Sequence, residues 1–293
     1  MSVSGLPHIY SGKVRELFEV GMDALLMVAS DRISVFDVVL PDLIPDKGRV
    51  LTALSSFWFE RTADIVGNHV ISCDPTDFPE IAGDVAGRAT LVRTARPIRL
   101  ECVVRGYVFG HGWSEYQENG TVGGFAVPAG LRQAEKLPEP LFTPTTKAET
   151  GHDMPLTAAE AIDLVGAVEY EQLKDISLRL YERGARHAET CGLILADTKF
   201  EFGERDDSIM AIDEMMTPDS SRYWPRDGYR PGISPPSFDK QYVRDFMDST
   251  GWKHEPPAPN VPADVIANTR AKYIEAYELI TDNAFSDWYG IGD

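Results

Sequence analysis

Cysteine is scarce in this chain, and the scarcity excludes whole classes of protein. Only Cys73, Cys102 and Cys191 occur, an odd number, far apart and without a CxxC pair. Neither a zinc knuckle nor a disulfide framework is supported. Buried free thiols in a reducing compartment are the expectation. Long apolar runs are also missing, since none approaches the ~18 residues of a membrane span. The first ten residues lack the basic and apolar regions of a secretory signal. A soluble, cytoplasmic protein with no membrane partner is therefore expected. Positive charge is in deficit, with a net charge of −18, and this argues against a nucleic-acid partner. A small anionic ligand stays open, because it needs only a local cluster of Arg, Lys and backbone N–H groups. No GxxxxGK[ST] phosphate loop exists, and no internal repeat or low-complexity tract is present.

What the chain does have is enough apolar material for a sizeable core, 43% of 293 residues. That length fits one large domain or two modest ones. The first hundred residues are rich in strand patterns: His8–Ser11, Val14–Val20 and Ala24–Ser30, divided by Gly12 and by the Gly21-Met22-Asp23 turn. Leu51–Asp64 reads as a helix, and Leu91–Arg105 as strand-like stretches around Pro97. The Gly- and Pro-rich segment 106–150 reads as long ordered loops, which are usually functional or mobile. Thr157 and Glu160 form a capping box for a helix starting near Ala158. A longer helix is expected over Tyr170–Cys191, with Gly192 at its C′ position. Leu193–Phe202 and Ile209–Glu214 read as strand, turn and strand. Phe238–Ser249 and Val261–Thr281 read as helices split by Pro256–Pro262. The mixture suggests an α+β or mixed α/β protein, β-rich early and helical late.

Six segments could carry chemistry. In Ala196–Gly203, strand alternation puts Asp197, Lys199 and Glu201 on one face and Thr198, Phe200 and Phe202 on the other. The Phe face suits a core, so the charged face is either solvated or lines a site. A hairpin centred near Asp207 would set Glu201 opposite Asp213, where two carboxylates repel unless a divalent cation such as magnesium relieves them. Asp219, Ser221 and Arg222 lie in a turn-like stretch after Pro218, where Arg and Ser can grip phosphate or carboxylate. The bland reading there is an Asx turn with Arg222 stacked on Trp224. Gly12, Lys13 and Arg15 sit at a β-turn able to lie over phosphates. Arg105 and His111 flank a glycine-rich run that could approach a ligand closely. Thr143–Asp153 reads as a solvated linker. Ser237 can N-cap a helix carrying Lys240 and Arg244 four residues apart on one face.

In this order the segments resemble the phosphoribosylaminoimidazole-succinocarboxamide synthase (SAICAR synthetase) family, in its longer form. The matching motifs are SGKVR, DRISVFD, VRGY with GHGWSEY, FTPTTKAETGHD, LADTKFEFG, DEMMTPDSSRYW and PSFDKQYVR. They run from Ser11 to Arg244, most of the chain, and their order is far more specific than any one of them. One departure is His111, where the family usually has Ser. The resemblance implies a two-lobed α+β fold, distantly like kinases and ATP-grasp enzymes. Its β-rich nucleotide lobe would be residues 1–100 and its substrate and metal lobe 101–293, with helices in 237–293. It implies ATP at Gly12, Lys13 and Arg15, with adenine against Arg93–Glu101, and Mg2+ at Glu201 and Asp213. The carboxyaminoimidazole ribotide would lie near Arg105, His111, Asp197, Lys199, Asp219, Ser221 and Arg222. L-aspartate would lie by Ser34, Lys240 and Arg244. The implied reaction is ATP-dependent ligation in purine biosynthesis through an acyl phosphate, with Lys199, Asp197 and Asp219 as catalytic candidates. Asp197 and Asp219 are equal candidates for the proton acceptor. The expected assembly is a monomer or small homo-oligomer. A small-molecule kinase on the same scaffold, or a non-catalytic nucleotide-binding module, are the rivals.

Overall fold

A computed structural model describes all residues except 1, 2, 4, 37, 79–82, 84, 148–152, 239 and 291–293. Seven positions of the quoted motifs thus lie outside the described residues: Asp37, the run 148–152 and Asp239. The strands are β1 (His8–Ser11), β2 (Arg15–Val20), β3 (Ala24–Ala29), β4 (Arg32–Val35), β5 (Val38–Leu43), β6 (Gly67–Asn68), β7 (Val70–Ser72), β8 (Ala89–Arg93), β9 (Arg96–Pro97) and β10 (Leu100–Tyr107). They continue with β11 (Thr121–Val122), β12 (Phe125–Ala126), β13 (Lys136–Phe142), β14 (Thr145–Thr146), β15 (Leu193–Arg205), β16 (Ser208–Ile212) and β17 (Ser221–Pro225). The helices are α1 (Lys47–Arg61), α2 (His111–Asn119), α3 (Ala158–Val165), α4 (Ala167–Thr190), α5 (Gln241–Ser249) and α6 (Ala263–Thr281).

Two main sheets result, and the fold is α+β as expected. A five-stranded antiparallel sheet has the order β1-β2-β3-β8-β7 and lies wholly within the first hundred residues. The larger mixed sheet runs β13-β10-β15-β16-β6, with β17 and β9 also on β15 and β14 on β10. Its spine is β15, thirteen residues long. Phe200 and Phe202 on that strand are buried in the main core with Leu173 and Leu180 of α4, and with Leu51, Leu54 and Trp58 of α1. The phenylalanine face is therefore the core face, as alternation required. A second core joins Ile33 and Val35 of β4 to Val243 and Met247 of α5 and Val265 of α6.

Several expectations need correction. Over its described residues, 106–147, the Gly- and Pro-rich region is not a series of long loops. It holds α2, the β11–β12 hairpin, β13 and β14. Glu115 makes this possible: its carboxylate accepts the Gly123 and Gly124 N–H groups at 2.7 and 2.8 Å, both glycines having positive φ. The prolines of β13 are tolerated because that strand is an edge of its sheet. Helix α1 starts at Lys47 rather than Leu51, because the Asp31 carboxylate accepts the Gly48 N–H at 2.9 Å. That cap comes from a distant segment and leaves no local signature. Ser237 does not cap α5; its hydroxyl donates to the Tyr223 carbonyl, and Lys240 occupies the N-cap position. Ser221 and Arg222 belong to a strand, not a turn, with Thr198 opposite Ser221 and Asp197 opposite Arg222. The Thr157–Glu160 capping box is present on both sides.

Gly106 shows how tightly β10 and α4 meet. A Cβ at this position would overlap the Tyr181 hydroxyl, which donates to the buried Leu195 carbonyl at 2.9 Å. Gly106→Ala should therefore push Tyr181 aside, strand that carbonyl and cost about 1–3 kcal/mol. Urea unfolding measures this; an unchanged midpoint would show that the packing is looser than described.

Candidate active site

Two clefts flank the charged face of β15. The first, of about 980 Å³, lies between the five-stranded sheet and the edge of the larger one. Its walls are apolar, with Leu17, Leu25, Met27, Val92 and Ile98 among them, and its polar residues include Arg15, Lys147, Glu201 and Asp213. The second, of about 430 Å³, is lined by Ser34, Phe36, Phe109, Gly110, Arg222, Lys240, Gln241, Arg244 and Asp248. It brings together four residues that sequence reasoning assigned to substrate, Ser34, Arg222, Lys240 and Arg244.

The Glu201–Asp213 relation differs from the expectation. Glu201 faces Ile212, one residue short of Asp213. The turn explains the shift. Asp206 and Asp207 both have positive φ, and Arg205 pairs with Ser208, so the loop has two residues and its centre falls between them. Asp213 leaves the strand with φ 65° and meets Arg15 at 3.1 Å. Glu201 receives Lys199 at 2.6 Å and also Lys147. Burial alone would raise the Glu201 carboxyl, but Lys199 and Lys147 outweigh it and bring it down to about 2. Burial raises Asp213 to about 6, with Glu201 and Glu214 adding to the rise and Arg15 only partly opposing it. Among the described residues, no group of three or more His, Cys, Asp or Glu side chains could hold a metal on its own. A donor set of two carboxylates bordering one cleft, with Glu201 adding to the rise of Asp213, nonetheless suits magnesium shared with phosphate oxygens.

The remaining candidates are placed as follows. Gly12 closes a tight turn by donating to the Arg15 carbonyl at 2.7 Å, and Lys13 is exposed beside it. Arg15 points to Asp213 and to Glu214, the latter at 2.7 Å. Glu101 is turned to Lys199 at 2.8 Å and does not line the first cleft. Asp197 accepts from Arg222 at 2.5 Å, with Arg105 at 3.8 Å. Arg222 lies over the Phe109 ring at 5.5 Å, not on Trp224; a Cβ on Gly110 would sit 2.9 Å from its guanidinium. The Ser221 hydroxyl is buried against Thr198 at 2.8 Å, on the opposite face of the sheet from Asp197. His111 opens α2 and is exposed.

Asp219 is the most heavily engaged of all. It meets Lys47 at 2.7 Å, Lys240 at 3.3 Å and the Tyr273 hydroxyl at 2.7 Å. Burial alone would raise this carboxyl, but Lys240, Lys47 and Tyr273 hold it well below the usual carboxylate range.

Sequence reasoning missed Lys47, Lys147 as an ion-pair partner, and the Glu16 cluster. Glu16 is buried and accepts from Ser11 at 2.5 Å, His8 at 2.8 Å and Arg32 at 2.6 Å. Arg32 also donates to the Gly12 carbonyl at 3.1 Å, fixing the turn. Glu16 shares a strand face with the buried Phe18, so a charge at a core-facing position was its available signal. Lys47 had none.

Comparison with known proteins follows the same line. The SAICAR synthetase family profile matches residues 8–259. The chain belongs to the SAICAR synthetase family. Curated relatives named phosphoribosylaminoimidazole-succinocarboxamide synthase include one from Desulfosudis oleivorans, 53% identical over 94% of this chain and 96% of its own length. Another, from Bordetella pertussis, is 52% identical over 95% of this chain and 97% of its own length. Among solved structures, the Saccharomyces cerevisiae SAICAR synthase complexed with SAICAR superposes with a TM-score of 0.88, at 39% identity over 97% of both chains. A SAICAR synthetase solved with ADP, 24% identical over 94% of this chain and 98% of its own, shares the fold with a TM-score of 0.70. The family's activity is ATP-dependent ligation in purine biosynthesis, and the kinase alternative is not favoured.

His69 supplies a test of the first cleft. It is buried, lines that cleft, and its Nε2 has no hydrogen-bond partner among the described residues. Burial, with Arg15 nearby, lowers it from 6.5 to about 3. The unfolded chain then binds the proton more readily than the folded one. Stability is complete above pH 6.5 and falls as pH drops towards 3, by at most about 4–5 kcal/mol from this residue. His69→Gln should flatten that limb in urea titrations between pH 7 and 4. Parallel curves for the two proteins would contradict the assignment.

Proposed function

We propose that the chain joins L-aspartate to the carboxylate of carboxyaminoimidazole ribotide, consuming ATP and releasing ADP and phosphate. The observation that carries this reading is the run Asp197-Thr198-Lys199-Phe200-Glu201. Its charged face reaches from Arg222 at the cationic cleft to Glu201 at the apolar one, with Lys199 between. At about 3.3 Å per residue the span is about 13 Å, a distance suited to two ligands meeting over Lys199. The first hundred residues act as the nucleotide lobe, with adenine in the apolar cleft and the phosphates by Gly12, Lys13 and Arg15. The remainder acts as the substrate lobe. The ribotide and aspartate occupy the cationic cleft, held by Arg222, Lys240, Arg244, Ser34 and Arg105. Free thiols at Cys73, Cys102 and Cys191 support a cytoplasmic setting.

In this account a ribotide carboxylate oxygen attacks the γ-phosphorus of ATP and ADP leaves. The aspartate amine then attacks the acyl carbon, and phosphate departs with the original carboxylate oxygen. Glu201 and Asp213 fit a magnesium ion shared with the nucleotide phosphates, which when bound supplies neutralisation of their charge. Lys199 holds the reacting anions together, and catalysis rests on positioning and charge complementarity. The amine must lose a proton. Asp197 and Asp219 are both candidates to accept it, the first paired with Arg222 and the second with Lys47 and Lys240.

Purified protein with MgATP and the ribotide should release ADP only when L-aspartate is added, with a succinocarboxamide product by mass. Aspartate-independent ADP release would overturn the reading. Glu201→Gln should lower kcat by about a hundredfold or more in a protein that circular dichroism shows still folded at the assay temperature; activity within about tenfold of wild type would remove its role. Arg222→Lys should raise the ribotide KM by about tenfold through loss of the two-pronged contact. An unchanged KM would place the ribotide elsewhere.

A further inference from the structure

Lys47 is wholly buried at the start of α1 and touches neither cleft. Its ammonium is nonetheless 2.7 Å from an Asp219 oxygen, and Lys240 approaches the same oxygen at 3.3 Å. Tyr273 takes the other oxygen at 2.7 Å. One carboxylate thus serves two ammonium groups, the closer contact belonging to the lysine that cannot reach a ligand. Lys240, by contrast, lines the 430 Å³ cleft beside Arg222 and Arg244. We propose that Lys47 is a positioning residue that neutralises Asp219, leaving the charge of Lys240 to an anionic substrate in that cleft. The proposal rests on the reading of this cleft as the ribotide site.

Burial and Lys240 draw the Lys47 ammonium below the usual lysine value, and Asp219 at 2.7 Å works against them; as ions, the two lysines and one aspartate leave a surplus of one positive charge. Because Lys47 is enclosed and takes the tighter contact, the surplus sits on Lys240, where it faces the cleft. Without Lys47, Asp219 would remain buried with Lys240 as its nearest ammonium. The two would close into a direct pair, since a buried carboxylate without a partner is strongly unfavourable. Lys240 would then be withdrawn from the ligand, although no residue touching the ligand had been changed. Removing Lys47 and the Asp219 charge together takes away the carboxylate that Lys240 approaches at 3.3 Å.

The test is calorimetric titration, which needs no turnover. SAICAR and MgADP are titrated separately into wild type, Lys47→Met, Lys47→Arg and the double variant Lys47→Met/Asp219→Asn. Lys47→Met should weaken SAICAR about tenfold and leave MgADP unchanged. The double variant and Lys47→Arg should bind SAICAR within about threefold of wild type. A merely structural lysine would weaken both ligands alike and would not be rescued by removing Asp219. Equal loss of both ligands, no loss in Lys47→Met, or a double variant as weak as the single one would each overturn the proposal. If Lys47→Met does not fold, the double variant and Lys47→Arg decide; tenfold weaker SAICAR binding in either overturns it. A wild-type protein that binds neither ligand would instead refute the ligase reading itself.

Discussion

A carboxylate buried between two lysines and a tyrosine ties together four parts of the chain distant in sequence. Asp219 links the start of α1 through Lys47, the N-cap of α5 through Lys240 and the middle of α6 through Tyr273. Such a cluster is a weak source of net stability, because desolvating the ions offsets much of their attraction. Breaking it by removing one partner costs about 3–5 kcal/mol, since the remaining charge stays buried. Its consequence is geometric. It fixes the residues around the cationic cleft relative to β17, whose Arg222 lies on the same cleft wall.

The same strands carry residues beside both clefts. β15 carries Glu201 at one end of its charged face and Asp197 at the other, with Lys199 bonded to Glu101 and Glu201 between them. β4 makes a second link. Its Arg32 braces the Gly12 turn and the Glu16 carboxylate, while Ser34, two residues on and so on the same strand face, lines the cationic cleft. A nucleotide bound at the turn and a substrate beside Ser34 would thus act on the same short hairpin.

The parts of this arrangement legible in sequence were those set by local rules. The alternation of Asp197-Thr198-Lys199-Phe200-Glu201 fixed which face was core, and the Thr157–Glu160 capping box and Gly192 marked helix ends that the structure has. The ordered motifs identified the family, and the cationic cleft gathers Ser34, Arg222, Lys240 and Arg244 from distant segments. What escaped were features set by tertiary contacts. The start of α1 depends on Asp31, the β11–β12 hairpin on Glu115, and Lys47 on an aspartate 172 residues away. The one-residue error at Asp213 came from the turn, where two consecutive aspartates adopt positive φ, a conformation more usual for Asn-Gly.

The proposed reaction requires that phosphate pass through the ribotide carboxylate rather than be lost to water. The direct measurement is oxygen transfer, with ribotide labelled with oxygen-18 in its carboxylate and the released phosphate read by mass. Ligation through an acyl phosphate predicts one labelled oxygen in each phosphate formed with the succinocarboxamide product. Unlabelled phosphate appearing alongside ADP would contradict it.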